Sequence, residues 1–545
     1  MATLLRPSRA LFRFSGEDAQ KLLFDVVTGR TLAETGPPVR WALLSPQGKI
    51  QAEGLSIYRD KAFWLDVDRS AADGFLKRMK MYRLRASVTI DDLRETHAVG
   101  TDLAADRSHV IGTIVNQDGT HAADIGVRGG RITALGSLAP DSADDVIDCT
   151  GLHVLPGVID TQVHFREPGL EHKEDLATGS LSAVMGGVTG VFEMPNTNPL
   201  TTSRATFEDK IARATGRMHC DFAFFIGGTH ENVTQLPELE RLPGCAGVKV
   251  FMGSSTGSLL VADDEGVGAI IKAIRRRASF HSEDEFRLEE RKPLRVAGDA
   301  RSHPVWRDPE AAMRSTRRLV GLARKYGKRI HVLHISTADE MVFLAYHKDV
   351  ATVEVTPHHL TLDETAYERL GTLAQMNPPV RDTAHRAGIW AGVANGVVDV
   401  LGSDHAPHTL EEKAKPYPNS PSGMTGVQTL VPLMLDHVSA GRLSLERFVD
   451  LSSHGPARIF NIARKGRIAA GYDADLTIVD LKRRETITNG WIASKAGWTP
   501  YDGVTVTGWP VGTILRGKTV MWQGELVTAA SGRPIEFMET LAPQA

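Results

Sequence analysis

The run HVLPGVIDTQVHF (residues 153–165) decides how the rest of the chain is read. It is short, rich in Val and Ile and not strictly alternating. It stops on polar residues, Gln162 and His164, with Arg166 just beyond. A strand buried on both faces of a parallel sheet looks like this. The theme recurs in TGVFEMPN (189–196), CDFAFFIGG (220–228), AGVKVFMG (246–253), RASFHSED (277–284), RIHVLHIST (329–337), VATVEVTPHHL (350–360) and VVDVLGSDHAPH (397–408). Each run leads into a stretch of helical character. Eight such units over residues 153–463 are the expectation for an α/β chain folded as a (β/α)8 barrel of the TIM type.

Outside these units the texture changes. ADIGVRGGRITALGSL (123–138) reads as two short strands about a Gly-Gly turn, and similar β texture returns in GRIAAGYDADLTIVD (466–480) and GTILRGKTVMWQGELV (512–527). The two flanks, 98–152 and 464–545, are expected to pair into one small β-sandwich domain. Residues 1–97 read as a separate α+β appendage. VRWALLSPQGKIQAEGLSIYR (39–59) is a hairpin turning at Pro46-Gln47-Gly48, and KAFWLDVD (61–68) is the next strand. Ser70 is placed to cap a helix through AADGFLKRMKMYRL (71–84), and ASVTIDDL (86–93) returns as a strand. The polar stretch 94–109 then reads as a linker. The first twenty residues carry three arginines but turn acidic at Glu17 and Asp18, which fits a domain's opening strand and helix better than a targeting peptide.

Bulk composition excludes several classes. At 545 residues the chain should hold two or three domains. Its formal net charge of −3 gives no bulk field toward nucleic acid or an acidic membrane. No apolar run approaches the ~18 residues of a membrane span. Cys149, Cys220 and Cys245 form neither a disulfide framework nor a metal knuckle, which fits a reducing, cytoplasmic setting.

The polar residues at the ends of the runs carry the chemistry. In a barrel the C-terminal strand ends converge on one mouth. That would gather Gln162, His164, Arg166, Asn196, Lys249, His281, His334, Asp404 and His408. Imidazoles and a carboxylate suit zinc or a similar divalent ion, which lowers the pKa of water and polarises a carbonyl. Asp404 could then serve as general base and acid. Arg166, with Asn196 and His408, could hold a substrate carboxylate. This combination predicts hydrolysis, or its reversal, at an amide of a small anion. Singly, each residue has an ordinary reading as well: hydrogen-bonded structural histidines, a lysine reaching for solvent, Asp404 as a helix cap, Arg166 in a surface pair with Glu167, Asn196 in a turn. Eight strand ends that are all ordinary together are improbable. His358 and His359 in TPHHL are read as structural.

GVIDTQVHFREPGLEHKEDLATGS (157–180), EMPNTNP (193–199), GVKVFMGSSTG (247–257), HSED (281–284), HVLHIST (331–337), MNPPVR (376–381) and GSDHAPHTLEEK (402–413) closely resemble dihydroorotases of the amidohydrolase superfamily. The likeness runs from about residue 110 to 530, through AGYDADLTIVD (470–480) and GWPVGTILRGK (508–518). FREPG with the downstream KED sets the chain apart from hydantoinases and allantoinases. The resemblance implies zinc-dependent, reversible cyclisation of N-carbamoyl-L-aspartate to dihydroorotate in pyrimidine synthesis. It assigns metal contact to His164, His281, His334 and Asp404, with Asp404 also the proton shuttle. Arg166, Asn196 and His408 take the substrate-binding positions. Lys249 stands where relatives carry a carboxylated lysine bridging two zincs. A homo-oligomer and an aspartate transcarbamoylase partner belong to the same expectation. Alternatives are another cyclic amide hydrolase of hydantoinase or allantoinase type, or an inactive scaffold for the transcarbamoylase.

One departure matters. The family's first strand reads His-x-His, and here it reads Gln162-Val163-His164. Three outcomes are open: a binuclear site that tolerates Gln162, one tightly held zinc, or an inactive homologue. Persistence of the other positions favours activity. Gln428 in GVQT (426–429) also replaces a common acidic residue. Residues 5–97 resemble the front of folate-binding iron–sulfur maintenance proteins related to aminomethyltransferase. They lack that family's Lys-Gly-Cys-(Tyr/Phe)-x-Gly-Gln-Glu signature and contain no cysteine. The segment reads as a truncated appendage with a structural or partner-binding role, or none.

Overall fold

The computed structural model describes residues 3–5, 9–27, 39–44, 50–83, 86–93, 100–102, 107–138, 143, 145–254 and 259–540. It divides into two compact units, Met1–Ala105 and Asp106–Ala545.

The first unit is a five-stranded antiparallel sheet in the order Val39–Leu44, Ile50–Arg59, Ala62–Asp68, Arg9–Ser15, Thr89–Asp92. Alternation along Arg9–Ser15 turns Ala10, Phe12 and Phe14 inward. Phe12, Phe14 and Trp41 pack around Phe75 of the helix Ala72–Tyr82, with ring centroids 5.3, 6.1 and 5.0 Å away. The strands of the expected hairpin pair, while its turn at Pro46-Gln47-Gly48 lies outside the described residues. Ser70 does not cap the helix. The cap position is Ala71, and the Ser70 hydroxyl instead donates to Asp68 Oδ1 at 2.5 Å, closing the preceding turn. Within the stretch read as a linker, Gly100–Asp102 forms a short strand against Thr3–Leu5.

In the second unit, eight strands run in parallel, in sequence order: β1 (Val158–Val163), β2 (Val188–Glu193), β3 (Asp221–Gly227), β4 (Cys245–Phe251), β5 (Ala278–His281), β6 (Ile330–Val332), β7 (Ala351–Val355) and β8 (Val400–Leu401). Six lie wholly inside runs singled out from the sequence, and β2 and β4 begin one residue ahead of theirs, at Val188 and Cys245. All positions of β1 through β8 are buried, which is why the runs are continuously apolar rather than alternating. The ring closes where the His164 amide donates to His405 O at 2.7 Å, just beyond β1 and β8. Helices between the strands start on side-chain caps: Asp175 for Leu176–Met185, Asp263 for Asp264–Ala273, Asp308 for Pro309–Tyr326.

The two flanks share one nine-stranded sheet. Asp145–Pro156, which leads straight into β1, pairs antiparallel with Leu476–Thr486 from beyond the barrel. The expected Gly-Gly hairpin joins Asp124–Arg128 to Arg131–Gly136. Gly129 and Gly130 have φ of 56° and 78°, the left-handed pair that a two-residue hairpin turn requires. Buried charges tie this sheet to the barrel: Asp221 at the start of β3 receives Lys465 at 2.7 Å and Arg516 at 2.6 Å. Gln428 joins the same seam. Its amide oxygen accepts from Ser182 Oγ and the Ala493 amide, and its amide nitrogen donates to Trp491 O. Cys149, Cys220 and Cys245 are buried free thiols. Among the described residues no helix is long and apolar enough to cross a membrane.

Candidate active site

Gln162, His164, Arg166, His281, His334 and Asp404 line one tight cavity of about 20 Å³ at the C-terminal end of the barrel. Phe251, Asn377, Ser422 and Gly423 close it. The strand ends are aligned by shared braces. Asp160 Oδ1 accepts from the amides of Gln162 at 3.1 Å and Ser403 at 2.8 Å, fixing the end of β1 against the end of β8. Arg166, His334 and Asp404 have φ of 65°, 37° and 51°. Left-handed backbone at non-glycine residues costs about 1–3 kcal/mol each and persists where surroundings over-determine it, typically at a functional site.

Two hydrogen-bonded groups line the cavity. In one, Asp404 Oδ1 accepts from Gln162 Nε2 at 3.0 Å and lies 3.3 Å from His164 Nε2. The other ring nitrogen of His164 donates to Asn196 Oδ1 at 2.8 Å, so Nε2 is the one turned to Asp404. In the other, His281 Nδ1 and His334 Nε2 are 3.0 Å apart. His281 Nε2 donates to Glu283 Oε2 at 2.9 Å, and Arg307 in turn grips Glu283. Burial alone would raise the Glu283 carboxyl. The charge of Arg307 and the His281 hydrogen bond outweigh it and hold the group well below its ordinary range. Burial pushes His164, His281 and His334 down, which keeps their rings neutral.

Lys249, on β4, is 1% exposed, and its ammonium group has no hydrogen-bond partner among the described residues. It sits 4.4 Å over the Phe251 ring. Burial pushes its pKa down to about 7 against the opposing pull of Asp404 and Glu354. Arg166 is fully buried and lowered by burial to about 10, still a cation at neutral pH. Its Nε donates to Pro407 O at 3.1 Å and its Nη2 lies 3.2 Å from His408 Nε2. Lys173 approaches His408 Nδ1 at 3.1 Å. Asn196 and His408 therefore stand one bond behind the cavity wall, on His164 and Arg166.

Among the described residues, no three His, Cys, Asp or Glu side chains surround a common point as a preformed metal site would. The donors present nevertheless fit a divalent ion. Two ligands of one tetrahedral zinc stand ~3.3 Å apart, given bonds of ~2.0–2.1 Å. The facing nitrogens of His281 and His334 are close to that spacing, and Glu283 holds the second nitrogen of His281, as carboxylates behind a metal-bound imidazole do. Gln162 Oε1 is buried without a partner among the described residues. Glu283 and Arg307 carry no role in the sequence reading. HSED places the carboxylate two residues after His281, but nothing in the sequence joins it to position 307. His358 bonds the Tyr501 hydroxyl and His359 the Pro378 carbonyl, as structural histidines do. Residues 255–258 of GVKVFMGSSTG lie outside the described residues.

Comparison with known proteins agrees with this geometry. The amidohydrolase family model matches residues 153–520. The dihydroorotase of Methanosarcina mazei is 37% identical over 432 residues, 76% of this chain and 94% of that protein. That of Halobacterium salinarum is 39% identical over 420 residues, 76% of this chain and 96% of that protein. Among solved structures, the L-hydantoinase (dihydropyrimidinase) from Arthrobacter aurescens superposes with a TM-score of 0.74 at 30% identity, covering 78% of this chain and 99% of that one. A barrel of eight parallel strands, a mouth of imidazole and carboxylate, and relatives matched over nearly their whole length lead to one statement: the chain belongs to the amidohydrolase family, as a hydrolase of cyclic amides.

Proposed function

We propose that the chain is a dihydroorotase, interconverting N-carbamoyl-L-aspartate and (S)-dihydroorotate in pyrimidine synthesis. The carrying observation is Arg166, a buried cation on the wall of the same cavity as Asp404 and the paired histidines. A neutral cyclic amide has no use for such a charge, whereas dihydroorotate carries a carboxylate. Curated relatives named dihydroorotase support the same reading.

One or two zinc ions, held by His281, His334 and Asp404 together with His164, Gln162 and Lys249, supply carbonyl polarisation and acidification of water when bound. The protein's own groups do the rest. Arg166, steadied by His408 and the Pro407 carbonyl, binds the substrate carboxylate, and Asn196 fixes the ring of His164. Asp404 takes a proton from the attacking water. As oxygen adds to the amide carbon and the carbon–nitrogen bond breaks, it returns that proton to the leaving nitrogen. Ring closure runs the same transfers backwards. Lys249 lies near neutrality, so a share of it is the free amine that combines with carbon dioxide, losing a proton, to form a carbamate ligand. The buried free thiols suit a cytoplasmic setting.

Metal analysis of the purified protein, paired with a carbamoyl aspartate assay, tests the proposal. Bound zinc with turnover is the expected result. Zinc with turnover of a hydantoin but not of dihydroorotate would assign the hydantoinase reading, which the Arthrobacter neighbour favours. Neither metal nor turnover would leave the inactive scaffold, a reading favoured by the Gln162 amide occupying Asp404 Oδ1. Gln162→His should raise zinc occupancy by up to one ion per chain, since imidazole is the better ligand. Unchanged stoichiometry would remove Gln162 from the metal set.

A further inference from the structure

We infer a second ligand site, for a phosphorylated polyanion, at the opposite end of the barrel from Asp404. It is a cavity of about 400 Å³ whose lining includes Arg275, Arg276, Arg277, Lys328, Arg329 and Arg458, with Glu539 the one acidic side chain among its lining residues. The cations arrive on three connections. Arg275–Arg277 precede β5, Lys328 and Arg329 precede β6, and Arg458 lies on the helix Gly455–Phe460 beyond β8. They are therefore at the N-terminal ends of strands whose C-terminal ends carry His281 and His334. The volume falls in the range of small-molecule sites.

Part of this charge has structural work. Arg276 donates to the carbonyls of Glu240 and Cys245 and lies 3.6 Å from Glu539, and Lys328 holds the Ile274 carbonyl. Two helices, Asp264–Ala273 and Pro309–Tyr326, end here as well, and a helix C-terminus favours a cation with about half a negative charge. Arg458 stands 3.7 Å from Asp399. These terms leave a surplus of about two or more positive charges. The surplus sits on particular groups. Among the described residues the guanidinium groups of Arg275 and Arg329 have no hydrogen-bond or ion-pair partner, and both side chains are exposed. Arg277 donates Nη1 to Ile459 O at 3.2 Å, but its Nε is buried with no partner. Burial and the like charges of Arg329 and Arg458 lower Arg277 to about 10.

A surface patch of solvated arginines would spread its charges apart. Here they converge on a concavity, one of them desolvated with a donor unused. Guanidinium groups arriving from separate loops suit the tetrahedral, multiply charged oxygens of phosphate. No aromatic face stands open in the lining: Phe460 is 3% exposed. Recognition therefore rests on the phosphates, and an oligophosphate matches both surplus charge and volume.

The test is direct binding to the full chain, measured by calorimetry at about 0.15 M salt, where loose surface attraction is screened. Saturable binding of inorganic tripolyphosphate is expected, with inorganic phosphate weaker. The Arg275→Ala/Arg329→Ala/Arg458→Ala variant should bind at least about tenfold more weakly, with an unchanged circular dichroism spectrum. These side chains touch nothing in the Asp404 cavity, so Asp404→Ala should bind tripolyphosphate like the parent. ATP binding no tighter than tripolyphosphate would fit phosphate-only recognition, and markedly tighter ATP binding would overturn it. The site is refuted if tripolyphosphate shows no saturable binding up to about 1 mM, or binds parent and triple variant equally. N-carbamoyl aspartate competing as well as tripolyphosphate would refute the phosphate assignment. None of these readouts depends on turnover, so the site stands or falls apart from the dihydroorotase reading.

Discussion

Asp404→Ala is expected to lower kcat for dihydroorotate hydrolysis by about 10⁴-fold. A positioned general acid–base contributes ~10²–10⁴, and the same carboxylate is a metal donor in the function proposed above. A 10⁴-fold loss corresponds to about 5.4 kcal/mol of transition-state stabilisation. Backbone and neighbours together fix the carboxylate in place. Its φ is 51°, and Gln162 Nε2 and His164 Nε2 lie 3.0 and 3.3 Å from its Oδ1. Steady-state kinetics with parallel zinc analysis separates the two roles. Asp404→Asn keeps an oxygen donor, so metal should be retained while turnover falls nearly as far. An alanine variant within tenfold of the parent would refute the assignment.

Arg166→Met is the second large effect, about ten- to a hundredfold in kcat/KM for dihydroorotate. Charge-assisted hydrogen bonds to a carboxylate contribute about 1.5–3 kcal/mol, and inside a closed cavity water cannot replace them. Arg166 is 1% exposed, and its fork is set by Pro407 O and His408. The fall should be much smaller for a neutral hydantoin, which has no carboxylate to lose. Equal losses on both substrates, with intact zinc content, would mean that Arg166 supports the fold of the mouth rather than recognising the substrate.

How far the sequence can be read depends on the kind of contact. Parallel strands buried on both faces leave continuous apolar runs, so all eight barrel strands are visible, and strand ends have to share a mouth because the topology admits one. The pairing of Asp145–Pro156 with Leu476–Thr486 is legible only as matching β texture at two distant places. Contacts between side chains from unrelated elements are not legible. The Glu283–Arg307 pair behind His281 joins positions that no spacing rule links. Gln428, an unexplained replacement in the sequence, proves to need both ends of an amide, accepting from Ser182 and Ala493 while donating to Trp491, which an acidic side chain could not do. Ser70 fails as a cap because the helix begins at Ala72 and leaves Ala71 at the cap position, while the Ser70 hydroxyl donates to Asp68 in the preceding turn. The sequence assigns Asn196 to the substrate carboxylate, a role that falls to its amide nitrogen; that its amide oxygen also accepts from His164 is not legible from the sequence.

The pairing of the two flanks also sets a timetable for biosynthesis. Strand Asp145–Pro156 leaves the ribosome about 320 residues ahead of Leu476–Thr486, the neighbour that covers its hydrogen-bonding edge. At ~5–20 residues per second the nascent chain carries that bare edge for on the order of tens of seconds. Until translation is nearly finished the early strands are open to pairing with another polypeptide, so recovery of native protein should depend on synthesis speed and on chaperones that shield that edge.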